Sequence, residues 1–160
     1  MKALIVYSSQ SGNTQKLAES IYDNLTVEKR MLPISEAPLP ENDEVVFVGF
    51  WLQGGKPDPK AAEYLSGIGS AQLFLFATHG AAADSKHARG AMDYARSLVP
   101  SATVLGSFNC QGEVNSKVLE KVSRKEPPPP WIADAGAAVG HPDEGDIDNL
   151  KAAVRALGLA

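Results

Sequence analysis

The run Ser8-Ser9-Gln10-Ser11-Gly12-Asn13-Thr14 is the part of this chain best suited to chemistry. It follows the apolar stretch Ala3–Tyr7 and opens an amphipathic stretch that runs to about Leu25. A buried strand that turns through hydroxyl residues and a glycine into a helix builds an anion site. The first amides of a helix have no intrahelical partner, and the helix dipole places partial positive charge beside them. Ser9, Ser11 and Thr14 add hydroxyl donors, and Gly12 lets the backbone approach an oxygen cluster. A phosphate group is the guest this suits. The plainer reading is a Ser/Thr-capped helix start that binds nothing.

Better-known phosphate sites do not match. A Walker loop needs G-x-x-x-x-G-K-[ST], but Gly12 is followed by Asn13 and no lysine. A dinucleotide fingerprint needs three spaced glycines after the first strand, and this segment has one. A cysteine phosphatase needs an arginine shortly after its thiolate, and none follows Cys110 in Gln111–Ser116. What is left is a lysine-free hydroxyl loop of the form [ST]-x-[ST]-G-x-T. Neutral donors of this kind suit a monoester dianion that is held and not transferred.

Two further loops carry candidate binding residues. One is Trp51-Leu52-Gln53-Gly54-Gly55-Lys56-Pro57, the other Thr78-His79-Gly80-Ala81-Ala82-Ala83-Asp84. Between them a flat ring could be sandwiched, with Trp51 as the stacking surface; alternatively Trp51 plugs the edge of the core. Glycines at 54, 55 and 80 let backbone groups come close to ring heteroatoms. His79 either hydrogen-bonds the guest, supplies positive charge to it, or is a satisfied structural histidine. His87 reads as part of a helix surface and His141 as part of a helix start. The histidines have no metal-ligand spacing, so no metal is expected.

The elements that must position these loops alternate along the chain. Strand-like apolar runs cover Ala3–Tyr7, Lys29–Leu32, Val45–Phe50, Gln72–Thr78 and Thr103–Asn109. Helical stretches cover Asn13–Leu25, Lys60–Leu65, Lys86–Leu98, Val114–Arg124 and a final one from about Pro142–Asp143 to Leu157. Strands that are apolar without alternation are covered on both faces, which means a parallel sheet. Right-handed crossovers then place helices on both sides. The expected fold is one α/β domain over residues 1–160, a doubly wound five-stranded parallel sheet in the order 2-1-3-4-5. In such sheets ligands bind beyond the carboxyl ends of the strands, where these loops lie. Receiver domains of signalling systems share the strand order, but their acidic pair and strand-three aspartate are replaced here by Ser8-Ser9 and Gly49-Phe50.

The proline-rich stretch at about 126–142 contains Pro127-Pro128-Pro129-Pro130-Trp131. It reads as a polyproline II arm pinned by Trp131, or as a docking arm for a partner.

Bulk properties exclude several classes. The chain has 160 residues, 44% of them hydrophobic and 21% charged, with a net charge of -4. No basic patch appears, so nucleic acid and an anionic membrane are not expected partners. A single cysteine excludes an internal disulfide, a four-cysteine cluster and a CxxC pair. The chain opens Met1-Lys2 and enters a strand at once, with no apolar run near the roughly 18 residues that span a bilayer. A cytoplasmic location is expected.

The hydroxyl loop resembles that of the flavodoxin family, where it holds the phosphate of FMN. Other segments are similar to a branch of short bacterial flavodoxin-like proteins: Gly49-Phe50-Trp51, Thr78-His79-Gly80-Ala81, Cys110-Gln111-Gly112 and His141-Pro142-Asp143. The resemblance covers nearly the whole chain. It implies a flavodoxin-like three-layer fold with non-covalent FMN, and an electron carrier working between protein redox partners. The implied cofactor-binding residues are Ser8 to Thr14, Phe50, Trp51, Leu52, Gly54, Gly55, Thr78, His79, Gly80, Ala81 and Cys110. Many flavodoxins carry a tyrosine in the strand-four loop, where this chain has Ala81-Ala82-Ala83. An open pocket on that side is therefore expected. It leaves two alternatives, an FMN-dependent reductase of a quinone or tetrapyrrole with His79 as proton donor, and a flavin-free adaptor. A peptide at Gly54-Gly55 that rotates with the ring's protonation, and Lys56 as a cation near the ring, are also expected.

Overall fold

A computed structural model describes residues 1–160. The strands are β1 (Lys2–Tyr7), β2 (Glu28–Pro33), β3 (Glu44–Gln53), β4 (Lys56–Pro57), β5 (Gln72–His79) and β6 (Thr103–Gln111). The helices are α1 (Asn13–Asn24), α2 (Pro59–Ser66), α3 (Lys86–Ser97), α4 (Ser116–Ser123) and α5 (Glu144–Arg155). Short 3₁₀ segments lie at Ile34–Glu36 and Pro130–Ala138.

The main sheet runs β2-β1-β3-β5-β6 with every neighbouring pair parallel. Counting these strands alone gives the expected order 2-1-3-4-5. The added β4 is a two-residue antiparallel return on the end of β3, with Leu52 opposite Pro57 and Gln53 opposite Lys56. Between them Gly54 has φ 62° and Gly55 φ 76°. Positive φ at both central residues is what a tight type I′ hairpin demands. The segment expected as an open loop after Phe50 is thus an extension of β3 and a hairpin.

Side chains alternate across the strands and fill two cores. Ala3, Ile5, Val45, Phe47, Phe74 and Phe76 face α1 and α5, where Leu17, Ile21, Leu150 and Val154 meet them. Leu4, Val6, Val46, Val48, Leu73 and Leu75 face the opposite way, toward Ala61 and Leu65 of α2 and Met92 and Ala95 of α3. Both faces are dry, so the strands carry apolar residues without alternation. Local sequence sets the helix starts. Asp58 caps α2, with Pro59 in its first turn, and Ser85 caps α3. Asp143 and Asp146 form a reciprocal capping box on α5.

Two sequence expectations are corrected here. The proline-rich stretch is not a polyproline arm throughout, because Pro130–Ala138 winds into 3₁₀ turns with Ala135 and Ala138 buried. The helix expected from Val114 starts at Ser116, capped by the Asn115 side chain, which leaves Val114 in the loop before it.

Candidate functional site

A cleft of about 460 Å³ opens beyond the carboxyl ends of β1, β3 and β5. Its volume lies in the roughly 300–1,000 Å³ range of small-molecule sites. Ser9, Gln10, Ser11, Asn13 and Thr14 line one part, Trp51 and Leu52 a second, and Thr78, His79 and Gly80 a third. A cleft of similar size at the other end of the sheet, around Met1, Asp43 and Gln72, lies far from all of these groups.

The hydroxyl loop is prearranged. Ser9 Oγ accepts the amides of Gly12 at 3.2 Å and Gln15 at 3.3 Å. An oxygen that accepts twice keeps its own proton to donate. Thr14 and Thr78 pair through their hydroxyls at 2.9 Å, so one of the two also retains a proton for a guest. The amides of Ser11, Asn13 and Thr14 meet no acceptor within the protein. Gly12 adopts φ 94° just before α1, which brings these amides to one side. Lys16, the nearest lysine in sequence, is bound instead to the Pro142 carbonyl. The site for an anion is therefore built from neutral donors and the helix dipole.

Asp58 joins this loop to the neighbouring one. Its buried carboxylate accepts from Ser8 Oγ at 2.7 Å, from Trp51 N at 3.3 Å and from Ala61 N at 3.3 Å. Nothing in the local sequence marks this role beyond an Asp-Pro helix start.

His79 is buried, and its Nε2 lies 2.8 Å from Asn109 Oδ1. Burial, with the nearby His87 adding to it, pushes its pKa down and disfavours the charged imidazolium. This works against the reading of His79 as a source of positive charge before a guest arrives. Cys110 lies within β6 and is buried in the core against α1 and α5; burial pushes its thiol pKa up, leaving a poor nucleophile.

Several expected residues point elsewhere. Phe50 is fully buried in the core on the α2–α3 side, because the strand alternation turns it inward. Ser8 is turned to Asp58, and Ala81 is buried outside the cleft lining. Gly54 and Gly55 form the hairpin turn, also outside the lining. Lys56 Nζ sits 4.9 Å from the Tyr94 ring centroid and does not face the cleft.

Other lining residues escaped the sequence reading. His87, Val114, Lys117, Val118 and Trp131 are among the remaining lining residues. His87 was expected on a helix surface, yet it reaches the Gly55 turn, where a Cβ would stand 3.5 Å from its Cε1. On the side expected to be open, Ala83 is exposed, but Ala82 N donates to Asp134 Oδ2 at 3.3 Å and Trp131 packs on Gly80. The tryptophan after four prolines was the available signal, but it did not reveal which surface the segment meets.

A family model described as a flavodoxin domain matches residues 4–155. The flavodoxin-like domain-containing protein BilS of Clostridioides difficile is 34% identical over 119 residues, covering 71% of this chain and 68% of that protein. Among solved structures, oxidised flavodoxin 2 from Bacillus cereus has a TM-score of 0.63 at 15% identity, covering 99% of this chain and 98% of its own. A Lactobacillus acidophilus flavoprotein in complex with FMN has a TM-score of 0.51 at 16% identity, covering 77% and 99%. No helix is long and apolar enough to cross a membrane.

Proposed function

This chain belongs to the flavodoxin-domain family, and from that premise we propose that it holds FMN non-covalently in the cleft and carries electrons between protein redox partners. The observation that carries this reading is the set of unpaired amides at Ser11, Asn13 and Thr14 in a cleft whose wall includes Trp51. A phosphate on those amides places the attached ring beside an indole. The likeness of this fold to that of a flavoprotein solved in complex with FMN supports the choice of guest.

When bound, FMN supplies reversible one- and two-electron chemistry. The chain's own residues do the rest. Ser9, Ser11 and Thr14 donate to the phosphate oxygens without a neutralising lysine. Trp51 offers an apolar face that excludes water from the ring. Asp58 keeps the phosphate loop and the Trp51 strand in fixed relation. His79 is held in place by Asn109, and Lys117 provides a cation on the cleft wall.

An FMN titration followed by anaerobic photoreduction tests the reading. One FMN per chain is expected, with reduction in two spectrally distinct one-electron steps. Absence of binding at high FMN, or binding unchanged in a Ser11→Ala/Thr14→Ala variant, overturns the phosphate assignment. Binding with a single two-electron step at every pH overturns the electron-carrier assignment alone.

A further inference from the structure

We propose that Trp131 forms the second wall of the ring site, so that a planar heteroaromatic guest is clasped between two tryptophans, one from β3 and one from the 3₁₀ segment. The inference rests on the FMN reading and assigns a binding residue within that site. The loop after β5 has no aromatic side chain, since residues 81–83 are all alanine. The wall comes from elsewhere in the chain.

Trp131 and Trp51 line the same cleft. The Trp131 indole is seated on Gly80, where an added Cβ would stand 3.0 Å from Cε3 and 3.3 Å from Cζ3, and 2.8 Å from Val114 Cγ2. Such close approach requires glycine at that position. The segment bearing Trp131 is tied down from two sides. Gln111 Nε2 reaches the Gly80 carbonyl at 3.3 Å and the Asp134 carbonyl at 3.1 Å. Asp134 Oδ2 accepts the Ala82 amide at 3.3 Å. The clasp links the end of β6, the β5 loop and the 3₁₀ segment. A wall already ordered loses little freedom when a guest arrives, and an indole face suits an offset-stacked aromatic ring. Val118, exposed on α4, extends the apolar rim beside it.

The full chain and its variants are titrated with FMN and with riboflavin, which has the ring but no phosphate. Trp131→Ala is expected to weaken both ligands by the same factor, about ten-fold, the scale of one lost stacking face. Trp131→Phe restores binding to within about three-fold because the aromatic face persists. Ser11→Ala weakens FMN and leaves riboflavin unchanged. Gln111→Ala removes the clasp without touching the ring face, and is expected to weaken both ligands together. It also decides the matter if Trp131→Ala fails to fold by far-UV circular dichroism. Wild-type affinity for both ligands in Trp131→Ala, or in Gln111→Ala when the first variant is unfolded, overturns the proposal and leaves the FMN reading standing. A wild-type chain that binds neither ligand overturns both.

Discussion

Gly12 shows how one backbone angle serves the cleft. Its φ is 94°, and an added Cβ would meet nothing within 4 Å. Replacement by alanine therefore acts through conformation and not through a clash. Holding an L-residue in that region costs about 1–2 kcal/mol. Urea unfolding of Gly12→Ala is expected to show a loss of that size together with weaker FMN binding. Unchanged stability would mean that the loop relaxes freely. Asp58 carries a different burden, with three donors on one buried carboxylate. Asp58→Ala removes a helix cap and leaves the Ser8 hydroxyl buried without its partner. The expected loss is about 2–4 kcal/mol, read from the denaturation midpoint.

The start of α5 is a small titrating device. His141 Nδ1 lies 2.6 Å from Asp146 Oδ2, which also accepts the Asp143 amide at 2.9 Å. The hydrogen bond to Asp146 raises the His141 pKa, and the Asp146 amide leads the lowering of Asp143. The two groups act in opposite directions. The His141 contribution is whole below its ordinary value of about 6.5 and disappears as pH rises through the raised folded value. The Asp143 contribution is present above its ordinary value and disappears as pH falls through the lowered folded value. The cap is therefore strongest in mildly acidic solution. The thermal midpoint of the wild type is expected to fall as pH rises past that window, and to fall less in His141→Gln. Superimposable pH profiles would refute the coupling. At the sheet's other end, Arg30 grips Glu44 through two nitrogens, at 2.9 and 3.0 Å. Burial acts against the Glu44 charge, but Arg30 and the Glu41 amide prevail and hold its pKa down. This pair pins the edge strand β2 to β3.

Ligand occupancy links the cleft to the stability of the entire chain. A ligand that binds the folded form alone adds about 2.7 kcal/mol at one hundred times its dissociation constant. For a chain of this length that is about 5–10 °C in the unfolding midpoint. Such a shift is expected when FMN is present at one hundred times its dissociation constant. Equal midpoints with and without saturating FMN would contradict folding-linked binding. The sequence alone determined the strand order, the helices on both faces and the hydroxyl loop, because each is written in short-range signals: unbroken apolar runs, helical spacing, caps, and a glycine among donors. It also singled out Trp51, Thr78 and His79 through their place at strand ends. Tertiary structure decided the rest. Phe50 and Cys110 turned inward because strand alternation and register choose the face. Val114 and Lys117 joined the cleft from the stretch after β6, and Trp131 because a segment far along the chain folds back on Gly80 and Gln111. A proline-rich run carries no periodicity that names its resting surface. That choice is made by shape and hydrogen-bond partners contributed by strands distant in sequence, which exist together only after the sheet has formed.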